Sequence, residues 1–255
     1  MAFKDGQPIN VLLAARMGSS RFPGKTLSDL HCLPMLERQI ERIRKSIYID
    51  SVVVATTELP ADQEIENWCK EKDVGCYRGP ADDVLGRLTS AAQHFNMQTV
   101  VEVLGDNPLV HSGMIDAAVE LYFEKKTDYV ATITEEYPKA TDGLKKFPIG
   151  VRVQVFPATT LIRCSELTKN DSHREHATSY IAENPDIFST AFVEAEKLFS
   201  ACNRPELTFA VNFPKNLDLI RLIFDELYEK NNNFSVEDVI NLFDLRPDLM
   251  PLMGN

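Results

Sequence analysis

The chain has 255 residues, 44% hydrophobic and 25% charged, enough for one large or two small globular domains. No segment approaches the roughly 18 consecutive apolar residues of a transmembrane helix, and residues 1–10 lack the apolar stretch of a secretory signal. We therefore expect a cytoplasmic protein with no membrane partner. The net charge of −11 opposes nonspecific binding to nucleic acid, and the five widely spaced cysteines predict reduced thiols rather than disulfides or a zinc site.

Strand-like and helix-like segments alternate through the first half of the chain. Buried apolar runs predict strands at residues 9–15, 51–55, 76–77 and 99–104. Helical spacing predicts helices at residues 34–47, from residue 60, and after Asp82, which is placed to cap its helix. The first helix would bury Leu36, Ile40, Ile43 and Ile47. This alternation predicts an α/β fold with a mostly parallel sheet covered by helices on both faces.

The pattern changes character in the second half of the chain. A helix through residue 122 and a strand at residues 129–133 precede residues 135–149, which are rich in lysine and turn residues. We expect further strands at residues 151–156 and 207–211, and helices at residues 159–167, 174–182, 216–229 and 236–243. The sequence has no repeat or evident linker, so it favours a single domain over residues 1–255, with an inserted arm at about residues 135–165.

The loop after the first predicted strand carries the most chemical information. Residues 14–27 read AARMGSSRFPGKTL and hold two glycines, two serines and the cations Arg16, Arg21 and Lys25. In open α/β sheets, ligands bind at the carboxyl ends of strands. Small residues let backbone N–H groups approach phosphate oxygens, and the cations supply charge-assisted donors. The loop predicts a phosphate-rich ligand, and a solvated basic turn is the alternative.

Two common phosphate-binding loops do not match this one. A P-loop requires a glycine five residues before Gly24, where this chain has Ser19, and Pro23 lacks the N–H that such a loop uses. The G-x-G-x-x-G dinucleotide pattern is absent from the sequence, which removes the main support for a hydride-transfer enzyme.

The segment ARMGSSRFPGKTL instead resembles the signature loop of CTP-dependent sugar-acid cytidylyltransferases. The closest resemblance is to the SpsF-like family of spore coat polysaccharide biosynthesis, with the enzymes that activate 3-deoxy-manno-octulosonate and the sialic acids as relatives. Family-like blocks follow in order along nearly the whole chain: SVVVATT, YRGPADDVLGR, LGDNPL, FPIGVRVQVF, HREHATSYI and FAVNFPKNL. The resemblance implies a Rossmann-like, GT-A-like nucleotidyltransferase fold with three α/β/α layers. It also implies attack of an acceptor hydroxyl on the α-phosphorus of CTP, with release of pyrophosphate.

The resemblance assigns roles to individual residues. Arg16, Lys25 and Asp106 would be catalytic, Asp106 as a Mg²⁺ ligand, although Asp before Asn-Pro is also ordinary turn chemistry. Arg78 and Asp82 would lie at the nucleobase, and for Asp82 the helix cap remains an equal alternative. The full set of nucleotide-binding residues would be Ala14, Ala15, Gly18, Ser19, Arg21, Arg78 and Asp82.

The second metal carboxylate is where this sequence departs from the family. The late strand of the family ends in Val-Asp-Thr-Pro, whereas this chain has Val-Asn-Phe-Pro, so that Asn212 takes the place of an aspartate. An amide oxygen can ligate a metal but brings no charge. Three interpretations remain: weaker magnesium binding with activity retained, a different metal arrangement, or a relative that has lost catalysis.

The segment His173-Arg174-Glu175-His176 has the spacing of a metal motif but lacks further ligands nearby in sequence, so it is weak support for zinc. The resemblance places it beside the acceptor, with Arg174 and His176 as substrate-binding residues and Arg174 as a clamp for a carboxylate. A structural role is equally open for each histidine. Three further cations suit either an anionic acceptor or a dimer contact: Lys145, Lys146 and Arg152.

The sequence as a whole predicts a Mg²⁺-dependent transferase that joins CMP from CTP to a small acidic sugar, of the nonulosonic or octulosonic type, for a surface polysaccharide. A homodimer is expected from the resemblance. A glycosyltransferase that uses a nucleotide-sugar is the first alternative, although Asp82-Asp83 is not the D-x-D motif of that class. A nucleotide-binding relative without catalysis is the second, because of Asn212.

Overall fold

The computed structural model describes residues 6–136, 143–195 and 199–254. In these ranges the strands are β1 (Ile9–Ala14), β2 (Asp29–Leu30), β3 (Leu33–Pro34), β4 (Ser51–Thr57), β5 (Gly75–Gly79), β6 (Thr99–Leu104), β7 (Tyr129–Thr132), β8 (Val153–Pro157) and β9 (Thr190–Val193). Seven of them form one sheet in the order β5-β4-β1-β6-β8-β7-β9, and β2 pairs with β3 in a small hairpin. Only β8 runs antiparallel to its neighbours in the large sheet. The predicted mostly parallel sheet is confirmed.

Helices cover both faces of this sheet. They are α1 (Met35–Ile43), α2 (Gln63–Glu71), α3 (Val84–His94), α4 (Ser112–Lys125), α5 (Ala158–Leu167), α6 (Asp171–Glu175), α7 (Ser179–Glu183), α8 (Pro214–Leu227) and α9 (Val236–Leu245). One apolar cluster packs α1, α2, α4, α8 and α9 on the first face, and a second packs α3, α5 and α7 on the other. The three-layer α/β/α architecture is therefore confirmed. Within the described ranges, no helix has the length and apolarity needed to cross a bilayer.

Several predicted helix and strand boundaries are wrong. Helix α1 ends at Ile43, and Ile47, expected on its buried face, is 73% exposed beyond the helix end. The cap of α3 is Asp83 rather than Asp82, because the Asp83 carboxylate accepts the Gly86 N–H at 2.7 Å. The single helix predicted at residues 174–182 is two short helices, α6 and α7, and β9 was not predicted.

The second half of the predicted arm belongs to the main body of the fold. Residues 153–167 form β8, in the middle of the sheet, and α5, which packs beside α3. Part of the remaining arm, residues 137–142, lies outside the described residues. The arm at residues 135–149 and the single domain stay predictions.

The predicted strand at residues 207–211 is an extended segment joined to a loop rather than to the sheet. The Ile149 N–H donates to Leu207 O at 3.0 Å, and the Phe209 N–H donates to Ile149 O at 2.7 Å. This close pairing depends on Gly150, whose φ is +93° and whose Cβ, if present, would lie 2.2 Å from the Ala210 nitrogen. A glycine is therefore required for residues 207–211 to reach this position.

We expect Gly150→Ala to destabilise the protein by about 1–3 kcal/mol, because the new Cβ meets backbone and the φ value is strained for alanine. Urea unfolding of the purified variant measures this loss. Gly18→Ala is the matched control: its Cβ would have no neighbour within 4 Å, so the free energy of unfolding should stay within about 0.5 kcal/mol of the wild type. Equal stability of the two variants would contradict the role given to Gly150.

Candidate active site

The candidate site lies at the edge of the sheet where β1, β4, β5 and β6 end. Because these strands are parallel, the loops that follow them meet at one edge. Strand β8 runs the opposite way, so the residues before Val153 reach this same edge. The loops after β1 and β6 approach closely, since the Gly105 N–H donates to Ala14 O at 2.9 Å and a Cβ on Gly105 would lie 2.5 Å from that oxygen. This contact places Asp106 beside the predicted phosphate loop.

Lys25 connects three parts of this edge. Its ammonium donates to the Val211 carbonyl oxygen at 2.6 Å and lies 3.7 Å from the Asp106 carboxylate. Burial lowers the pKa of Lys25, while the charge of Asp106 acts in the opposite direction and the charges of Arg21 and Arg16 lower it further. A cation that is partly desolvated among other cations is well suited to bind an anion.

Arg21 meets Asn212 on the same edge. The Arg21 guanidinium donates to Asn212 Oδ1 at 2.8 Å and lies 5.5 Å from the centre of the Phe213 ring. The loop residues Arg16 and Gly18 are exposed. The structure thus brings together four residues from three distant parts of the sequence: Arg21 and Lys25, Asp106, and Asn212.

The donor set fits a magnesium ion rather than zinc. The Val211 N–H donates to the Asp106 carbonyl oxygen at 2.9 Å, which keeps the carboxylate of Asp106 and the amide of Asn212 on adjacent backbone. One carboxylate and one amide oxygen, completed by water and phosphate oxygens, is a set that Mg²⁺ accepts. Among the described residues no group of three or more His, Cys, Asp or Glu side chains is placed to hold a metal. His173 in the H-x-x-H segment instead contacts Glu183 at 2.9 Å and Thr168 at 2.9 Å.

At the predicted nucleobase pocket, the structure gives Arg78 a set of protein partners. Its guanidinium donates to the carbonyl oxygens of Thr57 at 2.9 Å and Leu59 at 3.0 Å, and it pairs with Glu66 at 2.9 Å. These contacts join the end of β4 to α2. Asp82 is exposed, and the cap alternative for it is excluded by Asp83. A contact of Arg78 or Asp82 with the base stays a prediction.

Arg174, predicted to bind the acceptor, also has protein partners. It forms an ion pair with Asp83 and donates to Ser165 Oγ at 3.0 Å, in a groove of about 400 Å³ between α3 and α5. His176 is exposed. None of the contacts found for Arg174 joins it to Lys25 or Asp106, so its role as an acceptor clamp stays a prediction.

Sequence reasoning missed a chain of buried polar side chains that begins at this edge. Arg152 donates to Thr178 Oγ1 at 3.2 Å, Thr178 donates to Gln154 Oε1 at 2.7 Å, and Gln154 donates to Glu102 Oε2 at 2.8 Å. Burial raises the pKa of Glu102 to about 7, and the charge of Arg152 opposes that rise. The signal in the sequence was a lone glutamate within the apolar strand TVVEVL.

Fold and site together define a nucleotidyltransferase of the α/β type, with a cationic loop, a carboxylate and an amide at the carboxyl edge of its sheet. The profile of the cytidylyltransferase family matches residues 10–238, and the chain belongs to this family of CTP-dependent nucleotidyltransferases. The resemblance drawn from the sequence is therefore confirmed.

Individual relatives agree with this placement. The spore coat polysaccharide biosynthesis protein SpsF of Bacillus subtilis is 26% identical, over 93% of this chain and 94% of its own. A 3-deoxy-manno-octulosonate cytidylyltransferase of Francisella philomiragia is 31% identical, over 52% of this chain and 54% of its own. The structure of a cytidylyltransferase from Leptospira borgpetersenii superposes with a TM-score of 0.83 at 24% identity and covers 98% of both chains.

Proposed function

We propose that this cytidylyltransferase transfers CMP from CTP to a small acidic sugar, of the nonulosonic or octulosonic type, for a surface polysaccharide. The observation that carries the proposal is the meeting of Lys25, Arg21, Asp106 and Asn212 at one sheet edge. The relatives support the acceptor class, since one acts on 3-deoxy-manno-octulosonate and another serves polysaccharide biosynthesis by name. They do not favour a glycosyltransferase that uses a finished nucleotide-sugar.

In the proposed reaction an acceptor hydroxyl oxygen forms a bond to the α-phosphorus of CTP, and the bond from that phosphorus to the bridging oxygen breaks. Arg16, Ser19, Arg21 and Lys25 bind the triphosphate, and Arg16 and Lys25 offset the charge that develops on pyrophosphate. The remaining contacts to the nucleotide come from Ala14, Ala15, Gly18, Arg78 and Asp82. Asp106 and Asn212 would hold Mg²⁺, which when bound neutralises charge on the α-phosphate.

For the acceptor, we propose Arg152 beside Arg174 and His176; the sequence offered Arg152 for either an anionic acceptor or a dimer contact. The Arg152 side chain is 13% exposed, donates to Thr178 Oγ1 and pairs with Glu136 at 3.6 Å, so little of it is available for a contact with another subunit. It lies where β8 begins, at the edge where β6 ends beside Asp106. Its place at this edge supports an anionic acceptor as the ligand of Arg152, and a dimer contact stays the alternative.

Two further expectations belong to the same proposal: a homodimer, and a cytoplasmic location where nucleotide-sugars are made. The homodimer rests on the family resemblance alone. A monomeric mass in solution would contradict it.

Calorimetric titration with CTP, UTP, GTP and ATP, with and without Mg²⁺, tests the nucleotide half of the proposal. We expect selective binding of CTP.

We expect Lys25→Ala to lower turnover, measured as pyrophosphate release, by at least about 100-fold with the fold intact, because a donor to the developing charge is removed. Lys72→Ala is the control, since Lys72 pairs with Glu37 away from this edge. Near-normal turnover of Lys25→Ala would contradict the catalytic role proposed for Lys25.

Pyrophosphate release with 3-deoxy-manno-octulosonate and with a sialic acid tests the acceptor half. We expect Arg152→Gln to raise the acceptor KM about tenfold or more, through loss of a charged hydrogen bond, and to leave the CTP KM unchanged. Arg163→Gln is the matched control, because Arg163 lies on α5 beside Asp128 at 3.9 Å. An unchanged acceptor KM in Arg152→Gln would remove Arg152 from the acceptor site.

Asn212→Asp separates an active enzyme from a catalytically impaired relative. An added carboxylate should lower the Mg²⁺ concentration for half-maximal activity by about tenfold, since cation affinity follows ligand charge. The magnesium dependence of pyrophosphate release in wild type and variant measures this. Turnover that appears only in Asn212→Asp would favour the impaired relative, whereas turnover in both favours an enzyme with a weaker metal site.

A further inference from the structure

A buried carboxylate lies directly behind the phosphate loop. Asp62 is 1% exposed and ends the 3-10 turn Pro60–Asp62, between β4 and α2. Its Oδ1 accepts the Met17 N–H at 2.6 Å. Its Oδ2 accepts the Thr57 N–H at 3.2 Å and also the Thr57 hydroxyl. Asp62 thus joins the loop after β1 to the last residue of β4.

The bond to Met17 acts at the centre of the loop. The carbonyl oxygen of Met17 accepts the N–H groups of Ser19 and Gly24, each at 2.9 Å, so both ends of the loop converge on this residue. The residues on either side of it, Arg16 and Gly18, are exposed. Fixing the Met17 N–H from inside therefore fixes the direction in which the proposed phosphate-binding groups face.

The bonding pattern requires a carboxylate. Both oxygens of Asp62 accept hydrogen bonds from backbone N–H groups, and an ionised carboxylate is the side chain of this size with two acceptor atoms. An asparagine would turn its NH₂ group toward either the Met17 N–H or the Thr57 N–H. That backbone N–H would then face another donor and lose its acceptor. Charge-assisted bonds of this kind are stronger than neutral ones.

Among the described residues, no lysine, arginine or histidine forms an ion pair with Asp62 within 4 Å. Arg87 is a buried cation that interacts with this carboxylate: it is 2% exposed, burial and the charge of Arg16 lower its pKa, and the charge of Asp62 opposes that lowering. Arg87 donates to the carbonyl oxygens of Pro80 at 2.6 Å and Ala81 at 3.3 Å, in the loop proposed to meet the base. The buried carboxylate of Asp62 and the buried guanidinium of Arg87 thus lie behind the loops that follow β1 and β5.

We infer that Asp62 is a positioning residue for the triphosphate: it holds the Met17 peptide so that Arg16, Gly18 and Ser19 face the ligand before the ligand binds. The identity of that ligand rests on the proposed function. The anchoring itself does not, because it concerns contacts within this chain.

Asp62→Asn and a matched control test the inference. Asp116→Asn is the control. The Asp116 carboxylate likewise accepts hydrogen bonds from a hydroxyl, that of Ser46, and from a backbone N–H, that of Ile47 at 3.2 Å. These bonds join helix α4 to the segment after α1 and do not involve the loop at Met17. For each variant we would measure amide hydrogen exchange over residues 15–20, calorimetric affinity for CTP and for CMP, and the midpoint of thermal unfolding.

We expect Asp62→Asn to speed exchange at Met17 and to weaken CTP binding by about tenfold or more, the scale of a lost charged hydrogen bond. CMP, which lacks two phosphates, should lose less affinity than CTP. Asp116→Asn should change neither exchange in residues 15–20 nor CTP affinity. If Asp62→Asn does not fold, Thr57→Val, which removes one donor to Oδ2, should give the same pattern in milder form.

Unchanged exchange at Met17, or an equal loss of CTP and CMP affinity, would overturn the inference and leave Asp62 with a structural role alone. Failure of the wild type to bind CTP would instead overturn the proposed function. In that event the exchange measurement still decides whether Asp62 anchors the loop, so the two failures are distinguishable.

Discussion

The contact of the Lys25 ammonium with the Val211 carbonyl oxygen and the Asp106 carboxylate is the interaction on which this site depends. It joins the loop after β1 to a segment 186 residues further along the chain and to the end of β6. Partial burial of an ammonium disfavours its charged form, and the nearby carboxylate offsets that cost. The contact is possible because two glycines, Gly105 and Gly150, let backbone segments approach more closely than a Cβ would allow.

Much of the fold was predictable because its signals are local. The central strands are apolar runs bounded by turn residues, and helical spacing marks the segments between them. The predicted phosphate loop follows β1 directly, so its place at the carboxyl edge follows from the direction of that strand. Lys25 and Asp106 could be expected at one edge for the same reason, since both follow parallel strands.

The remaining features depend on partners that the sequence does not specify. Nothing local distinguishes Asp83 from Asp82 as the cap of α3, and the choice is fixed once Arg174 lies beside Asp83. Residues 207–211 have the composition of a strand but form their backbone hydrogen bonds with the loops at Ile149 and Asp106 rather than within the sheet. Arg78 likewise joins β4 to α2, a role that depends on where α2 packs and not on the motif around it.

The contact between Arg21 and Asn212 gives the departure from the family pattern a second consequence besides the lower charge at the proposed metal site. Asn212 accepts a hydrogen bond from Arg21 at 2.8 Å as a neutral amide, whereas an aspartate there would hold the same guanidinium by a charge-assisted pair. A guanidinium bonded to a neutral amide can exchange that hydrogen bond for one to phosphate at a lower free-energy cost than a guanidinium paired with a carboxylate. In the proposed reaction, Asn212 would therefore bring less charge to the metal but leave Arg21 more available to phosphate, so weaker magnesium binding and triphosphate binding would be compatible in one chain.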